Sequence, residues 1–137
     1  MPSQCSNYKI LKESTRNHKW SGSYEGDVSS CTNVKSGDWK GAGVYRIMEP
    51  AGTMIPEVAP QFSRCGTAVS GWLNGAHPTG HGDSSQLEVC FVHDSGNNCY
   101  WKESITVTNC IDFYVYQLPE APSCGFRYCA VEGQGIL

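Results

Sequence analysis

Residues 99–129 read CYWKESITVTNCIDFYVYQLPEAPSCGFRYC. This stretch holds Cys99, Cys110, Cys124 and Cys129, half of the eight cysteines, together with the most strand-like run in the chain. Ile105 and Val107 alternate with Thr106 and Thr108, the period-two pattern of a half-buried strand. From Ile111 to Leu118 both faces turn apolar or aromatic, with Phe113 and Val115 on one side and Tyr114, Tyr116 and Leu118 on the other. That pattern suits a central strand covered on both sides. Pro119 and Pro122 end the run, because proline cannot donate to a ladder.

Outward from this stretch, the pattern continues in shorter pieces. Residues 87–92 (LEVCFV) alternate as a strand, and 93–98 (HDSGNN) form a turn between Cys90 and Cys99. Residues 64–73 (RCGTAVSGWL) are a second apolar run, followed at once by Asn74-Gly75, a strong hairpin signal. Residues 41–48 make a strand entered through glycines, and 49–60, with three prolines, a loop that turns Met54 and Ile55 toward the core. Residues 1–38 read as a long polar loop with one edge strand, tied down by Cys5 and Cys31. Trp39 and Trp101 flank strand segments and read as core. Residues 130–137 (AVEGQGIL) are expected to fray.

A chain of 137 residues is most economically one domain, spanning 1–137 with its core in 5–129. At that size it buries roughly two thirds of the surface of its unfolded form. Fifteen glycines, seven prolines, four tryptophans and seven tyrosines argue for short strands and many turns. The fold class is all-β, with antiparallel sheets stapled by disulfides in a sandwich-like arrangement. A formal charge of −3 leaves no basic stripe for a phosphate backbone, which argues against nucleic acid. No apolar run reaches the ~20 residues needed to cross a bilayer, and the first residues carry no apolar signal region. Met1 therefore reads as a processing start after a removed signal.

The eight cysteines contain no C-x-x-C pair and no zinc-finger spacing, so an oxidised framework is the better reading. Spacing alone leaves 105 pairings open. Four bridges, each contributing about 2–4 kcal/mol, imply a secreted or cell-surface protein.

The order of motifs resembles the eight-cysteine domain of the uromodulin family. The matching residues are Cys5-Ser6-Asn7-Tyr8, Val44-Tyr45-Arg46, Arg64-Cys65-Gly66-Thr67, Trp72-Leu73-Asn74-Gly75 with His77-Pro78, Cys90, Cys99 with Trp101, Cys110, Tyr114-Val115-Tyr116 with Leu118, Pro122, Cys124 and Tyr128-Cys129. The resemblance implies the pairs Cys5–Cys110, Cys31–Cys124, Cys65–Cys129 and Cys90–Cys99, and a non-enzymatic role. In that family the loop after Trp-Leu-Asn-Gly carries an N-glycan that captures bacterial pili. Here Asn74 is followed by Gly75 and Ala76, and no Asn in the chain begins an N-x-Ser/Thr sequon, so that role does not carry over.

Among residues able to do chemistry, His93-Asp94-Ser95-Gly96 echoes a hydrolase fragment. Adjacent residues on a tight turn cannot adopt triad geometry, so no catalysis is expected. The loop 74–83 (NGAHPTGHGD) offers more. It places Asn74, His77, His81 and Asp83 just past Trp72, the mixture of polar groups and an aromatic face that binds sugars. Galactose, with one broad apolar face, suits such stacking. The alternative leaves His77 and Trp72 as scaffold and His81 and Asp83 as solvated. A metal on His77, His81 and Asp83 is disfavoured, since a relaxed loop lacks an organising outer shell. Trp20, beside His18 in the polar N-terminal segment, is a second candidate contact.

Two functions are thus expected. One is a secreted lectin for terminal β-galactosides on cell surfaces or glycoproteins, with no cofactor and no membrane insertion, gaining avidity as a homo-oligomer. The other is an extracellular adhesion module that binds protein through its Tyr/Trp-rich surface.

Overall fold

The computed structural model of the chain describes residues 1–94 and 96–133. Ser95, and residues 134–137 of the expected frayed tail, lie outside the described residues. The strands are β1 (Lys9–Leu11), β2 (Gly43–Ile47), β3 (Val69–Asn74), β4 (Ser84–Val92), β5 (Trp101–Asn109), β6 (Tyr114–Leu118) and β7 (Phe126–Tyr128). They form one seven-stranded sheet in the order β1-β2-β6-β5-β4-β3-β7. The all-β expectation holds, but the stacked antiparallel sheets become one curled mixed sheet, in which β1 runs parallel to β2 and β3 parallel to β7. Alternation in a sequence marks which face a residue takes and carries no strand direction, so these parallel edges left no trace in the pattern.

One face of the sheet wraps the core. Tyr45, Ile47, Leu73, Val89, Phe91, Ile105, Val107, Tyr116, Leu118 and Tyr128 are all buried there. Trp39, from the segment before β2, closes the curl. Its ring stacks on Tyr45 at 4.8 Å and meets Tyr128 at 6.0 Å, which brings β2 against β7, far from it in the strand order. Tyr128 Oη donates to Pro119 O at 2.7 Å across the same gap. Trp39 and Ile55 are fully buried, as expected. Trp101 is not: it opens β5 at the rim and is 53% exposed.

The central strand β6 has its tyrosines and Leu118 in the core. Its other face is only half covered, with Val115 buried and Gln117 exposed. The hairpin after Trp72-Leu73-Asn74 forms without a tight turn: Asn74 pairs with Glu88, and residues 75–83 make the connection. The start of the tail is held rather than frayed. Ala130 is buried and bridges Asn17, and Val131 exchanges backbone bonds with Met54.

All eight cysteines are bridged as Cys5–Cys110, Cys31–Cys124, Cys65–Cys129 and Cys90–Cys99, the pattern implied by the resemblance. The first three tie the irregular N-terminal half to the end of the chain. A buried charge cluster makes the same connection without covalent bonds. Arg16, fully buried, donates to both oxygens of Asp27 (2.6 and 3.0 Å), to Asp38 (2.6 Å) and to Tyr128 O (3.0 Å). Burial works against the Arg16 charge, but Asp27 and Asp38 overcome it and hold the guanidinium well above its ordinary value. Arg127 meets Glu13 at 2.9 Å and Glu25 at 3.2 Å.

Candidate functional site

The register of the sheet decides where the candidate residues sit. Facing pairs share a face, so the pairing Trp72–Cys90–Lys102 and the pairing Asn74–Glu88–Ser104 place Trp72 and Asn74 together on the outer, solvent side. The next rows on that face are Gln86–Thr106–Gln117–Val44 and then Ser84–Thr108–Val115–Arg46, polar except for Val44 and the buried Val115. Trp72 is fixed by its Nε1, which donates to Asn98 O at 2.8 Å over the Cys90–Cys99 staple.

His77 does not join them. It is 5% exposed and occupied on every polar side-chain atom. Its backbone N–H donates to Glu57 Oε2 at 2.7 Å, its Nδ1 faces the same oxygen, and its Nε2 meets Tyr116 Oη at 2.8 Å. Tyr116 Oη already accepts the Ile55 N–H, so its proton points to Nε2 and the imidazole is neutral, carrying its hydrogen on Nδ1. Burial pushes His77 below its ordinary value, and burial raises Tyr116 far above its own. Burial would raise Glu57, but the two His77 donors outweigh it and hold the carboxyl below its usual range. His77 is therefore a strut that seats the 49–60 loop on β6, the scaffold alternative raised from the sequence.

His81 and Asp83 are exposed, at the far end of β4. The distance along β4 from Cys90, opposite Trp72, to Asp83 is roughly 20 Å at ~3.3 Å per residue. The loop is tied rather than relaxed: Gly82 N donates to Asn109 O, Asn109 N to Asp83 O and Asn109 Nδ2 to Pro78 O. Among the described residues no three His, Cys, Asp or Glu side chains gather into a metal-holding group.

Trp20 is 43% exposed, its Nε1 donating to Ser23 Oγ at 3.3 Å. Its chain neighbour Ser21 lines a cleft of about 630 Å³, whose wall combines Ser21, residues 59–64, Val92, Asp94 and Asn98. Neither tryptophan lines this cleft: Trp20 precedes Ser21 of its wall, and Trp72 donates to the carbonyl of Asn98 in it. Phe62 is 49% exposed in its wall. Asp94 accepts from Gly96 N at 2.9 Å and faces His93 Nδ1 at 3.1 Å; these bonds, the Gly96 one first, hold its carboxyl below the usual range. The His93 ring packs on Tyr100 at 4.4 Å.

Arg64 is half-buried and fixed at its backbone. Its carbonyl accepts Ser70 Oγ at 2.7 Å, it bridges Ser21, and its neighbours Ser63 and Cys65 both hold positive φ, 60° and 65°. None of Phe62, Arg64, Asp94 and Asn98 is read from the sequence as a binding residue: Arg64 enters there only within the family motif and Asp94 only in the hydrolase echo. They lie on two segments about thirty residues apart, and the one local signal, Pro60-Gln61-Phe62-Ser63-Arg64 before a cysteine, looks like ordinary loop.

Residues 45–130 match the family model of the uromodulin-like eight-cysteine domain. The chain is similar to the human pancreatic secretory granule membrane major glycoprotein, 36% identical over 128 residues that cover 93% of this chain and 22% of that protein. It is also similar to rat uromodulin, 34% identical over 134 residues that cover 94% of this chain and 19% of that protein. The chain thus spans about a fifth of the length of the curated relatives it matches. No helix among the described residues is long and apolar enough to cross a membrane.

Proposed function

The chain belongs to the uromodulin-like eight-cysteine domain family, an extracellular, disulfide-bonded module, and from the make-up of its cleft we propose that it is a lectin for terminal β-galactosides. The sugar occupies the cleft between residues 59–64 and the side chains of Asp94 and Asn98, and Trp20 and Trp72 extend the contact beyond it. The observation that carries this reading is the make-up of the wall. An exposed phenyl ring, Phe62, lies in one hollow with Arg64, Asp94 and Asn98, so an apolar ring face and several sugar hydroxyls find partners together. Asn74, on the outer face with Trp72, extends the contact to a second residue of a longer glycan. His81 and Asp83 serve only an extended chain, given their distance. The binding proposed uses no metal and no catalytic step, and the imidazole of His77, held between Glu57 and Tyr116, is sealed from solvent.

Single sugar sites are weak, so a homo-oligomer presenting several clefts supplies the avidity. A glycan array with the folded protein tests the reading. Galactose-terminated glycans bind, and Phe62→Ala removes the signal while leaving the melting temperature unchanged; no binding to any glycan by folded protein removes it. The adhesion reading is favoured by one observation, the half-exposed pair Tyr100 and Trp101 at the start of β5, and a protein partner docking there would be indifferent to Phe62→Ala.

A further inference from the structure

We infer that the cleft selects acidic galactosides, with a carboxylate or sulfate group of the glycan seated on Arg64; this rests on the lectin reading above. Of the four arginines of the chain, three are engaged. Arg16 is held by Asp27 and Asp38, Arg127 by Glu13 and Glu25, and Arg46 lies over the Phe113 ring at 3.9 Å and donates to Tyr8 Oη at 3.0 Å. Among the described residues Arg64 has no carboxylate within ion-pair distance and no hydrogen-bond acceptor for its guanidinium, although it is half-buried.

Arg64 lines the cleft without a counter-charge of its own, so an anionic ligand can supply one. Arg64 has been placed rather than left loose. The residues on either side of it take the left-handed conformation that non-glycine residues avoid, and Cys65 is stapled to buried Cys129. Strain of this kind persists where surrounding structure imposes it, and it clusters at ligand clamps. The cleft that Arg64 lines also includes Pro60, Phe62 and Val92, so apolar surface stands in the same hollow as the cation and a charged group docked between them loses part of its water. A planar guanidinium binds a carboxylate or sulfate through two parallel N–H donors, which a neutral hydroxyl cannot match.

Asp94 is the one carboxylate in the wall. It is already engaged by Gly96 N and His93, and it is not paired with Arg64. It therefore accepts sugar hydroxyls at its own side and repels an anion there, so that an acidic sugar can sit in one orientation only. The net charge of −3 makes nonspecific attraction of an anion unhelpful, so recognition depends on this one site.

The test is calorimetric titration of lactose, 3′-sialyllactose and 3′-sulfated lactose into wild-type protein and into Arg64→Gln and Arg64→Lys. The wild type binds one or both acidic ligands about tenfold or more tightly than lactose, and which acid is preferred separates carboxylate from sulfate. Arg64→Gln brings the affinities for all three ligands to one level, whatever it does to that for lactose, and Arg64→Lys keeps only part of the preference. Should Arg64→Gln not fold, salt decides: wild-type affinity for the acidic ligand falls steeply with NaCl while that for lactose stays flat. Equal wild-type affinity for all three ligands, or an acidic preference untouched by both Arg64→Gln and salt, overturns this inference and leaves the lectin standing. Binding of none of the three, with no hit on the array, overturns both.

Discussion

Arg16 and Arg64 lie in the same small domain under opposite conditions. Arg16 is fully buried and meets two carboxylates and a backbone carbonyl; its partner Asp27 also accepts the Tyr128 N–H, and Asp38 also accepts from Lys12 and Glu13. Its bond to Tyr128 O, with the Tyr128 N–H that Asp27 accepts, joins the irregular N-terminal segment to β7, and its bonds to Asp27 and Asp38 close that segment on itself. Arg64 is half open, faces a cleft and has its backbone, not its charge, satisfied. The difference separates two uses of one residue type. A buried pair closed on itself sets how the chain folds, and a positioned cation left facing solvent is available to a ligand.

The largest effect that would break this comparison comes from the closed side. Arg16→Ala leaves Asp27 buried without its cation, and removing one partner of a buried pair costs about 3–5 kcal/mol. Urea denaturation should show that loss as a lower midpoint, while the molecules that remain folded bind glycan as the wild type does. A loss of stability below about 1 kcal/mol would mean that the cluster is decoration and that the disulfides alone hold the N-terminal half.

The division also explains what could be read from the chain in advance. Strands show because alternation of Ile105, Thr106, Val107 and Thr108 reports burial of one face directly. The bridges followed from a resemblance, not from spacing. Arg16, Asp27 and Asp38 looked like scattered loop charges, because ion pairing across 11 and 22 residues leaves no periodic mark. Trp101 flanks a strand as Trp39 does, yet only Trp39 has two edges of the sheet to fill between. The cleft was not legible: Trp72 and Trp20 stand out in the sequence as aromatics among polar residues, but the wall comes from the 59–64 loop folded beside Asp94 and Asn98. His77 was drawn to the site by its place in the loop and is withdrawn from it by Glu57 and Tyr116.

His77 supplies the middle-sized test, since it belongs to the closed side although its loop is open. Burial holds its folded value below the ordinary 6.5, so the unfolded chain takes up a proton that the folded one refuses. Stability from this residue is thus fully present above the unfolded value and is lost as pH falls through it, with a slope of at most about 1.4 kcal/mol per pH unit for one proton. Thermal melts from about pH 7.5 to about pH 5, the window that brackets the ordinary imidazole value, should show the decline. In His77→Asn the baseline stability is lower but this part of the slope is gone; an unchanged slope would place the titration elsewhere.

The smallest effect sharpens the boundary of the open side. His81 is exposed on a loop held by Asn109 backbone and side-chain bonds, not by its imidazole. His81→Ala should therefore leave stability within about 0.5 kcal/mol. It should also leave the affinity for a disaccharide unchanged, because the cleft and this loop stand at opposite ends of β4. If the glycan runs along the polar rows Asn74–Glu88–Ser104 and Gln86–Thr106–Gln117, the same substitution weakens binding only for chains long enough to cross them. Titration of galactosides of increasing length into wild-type and His81→Ala protein reads this directly. Loss at the disaccharide already would bring the ligand onto the 75–83 loop and take it out of the cleft of Phe62 and Arg64.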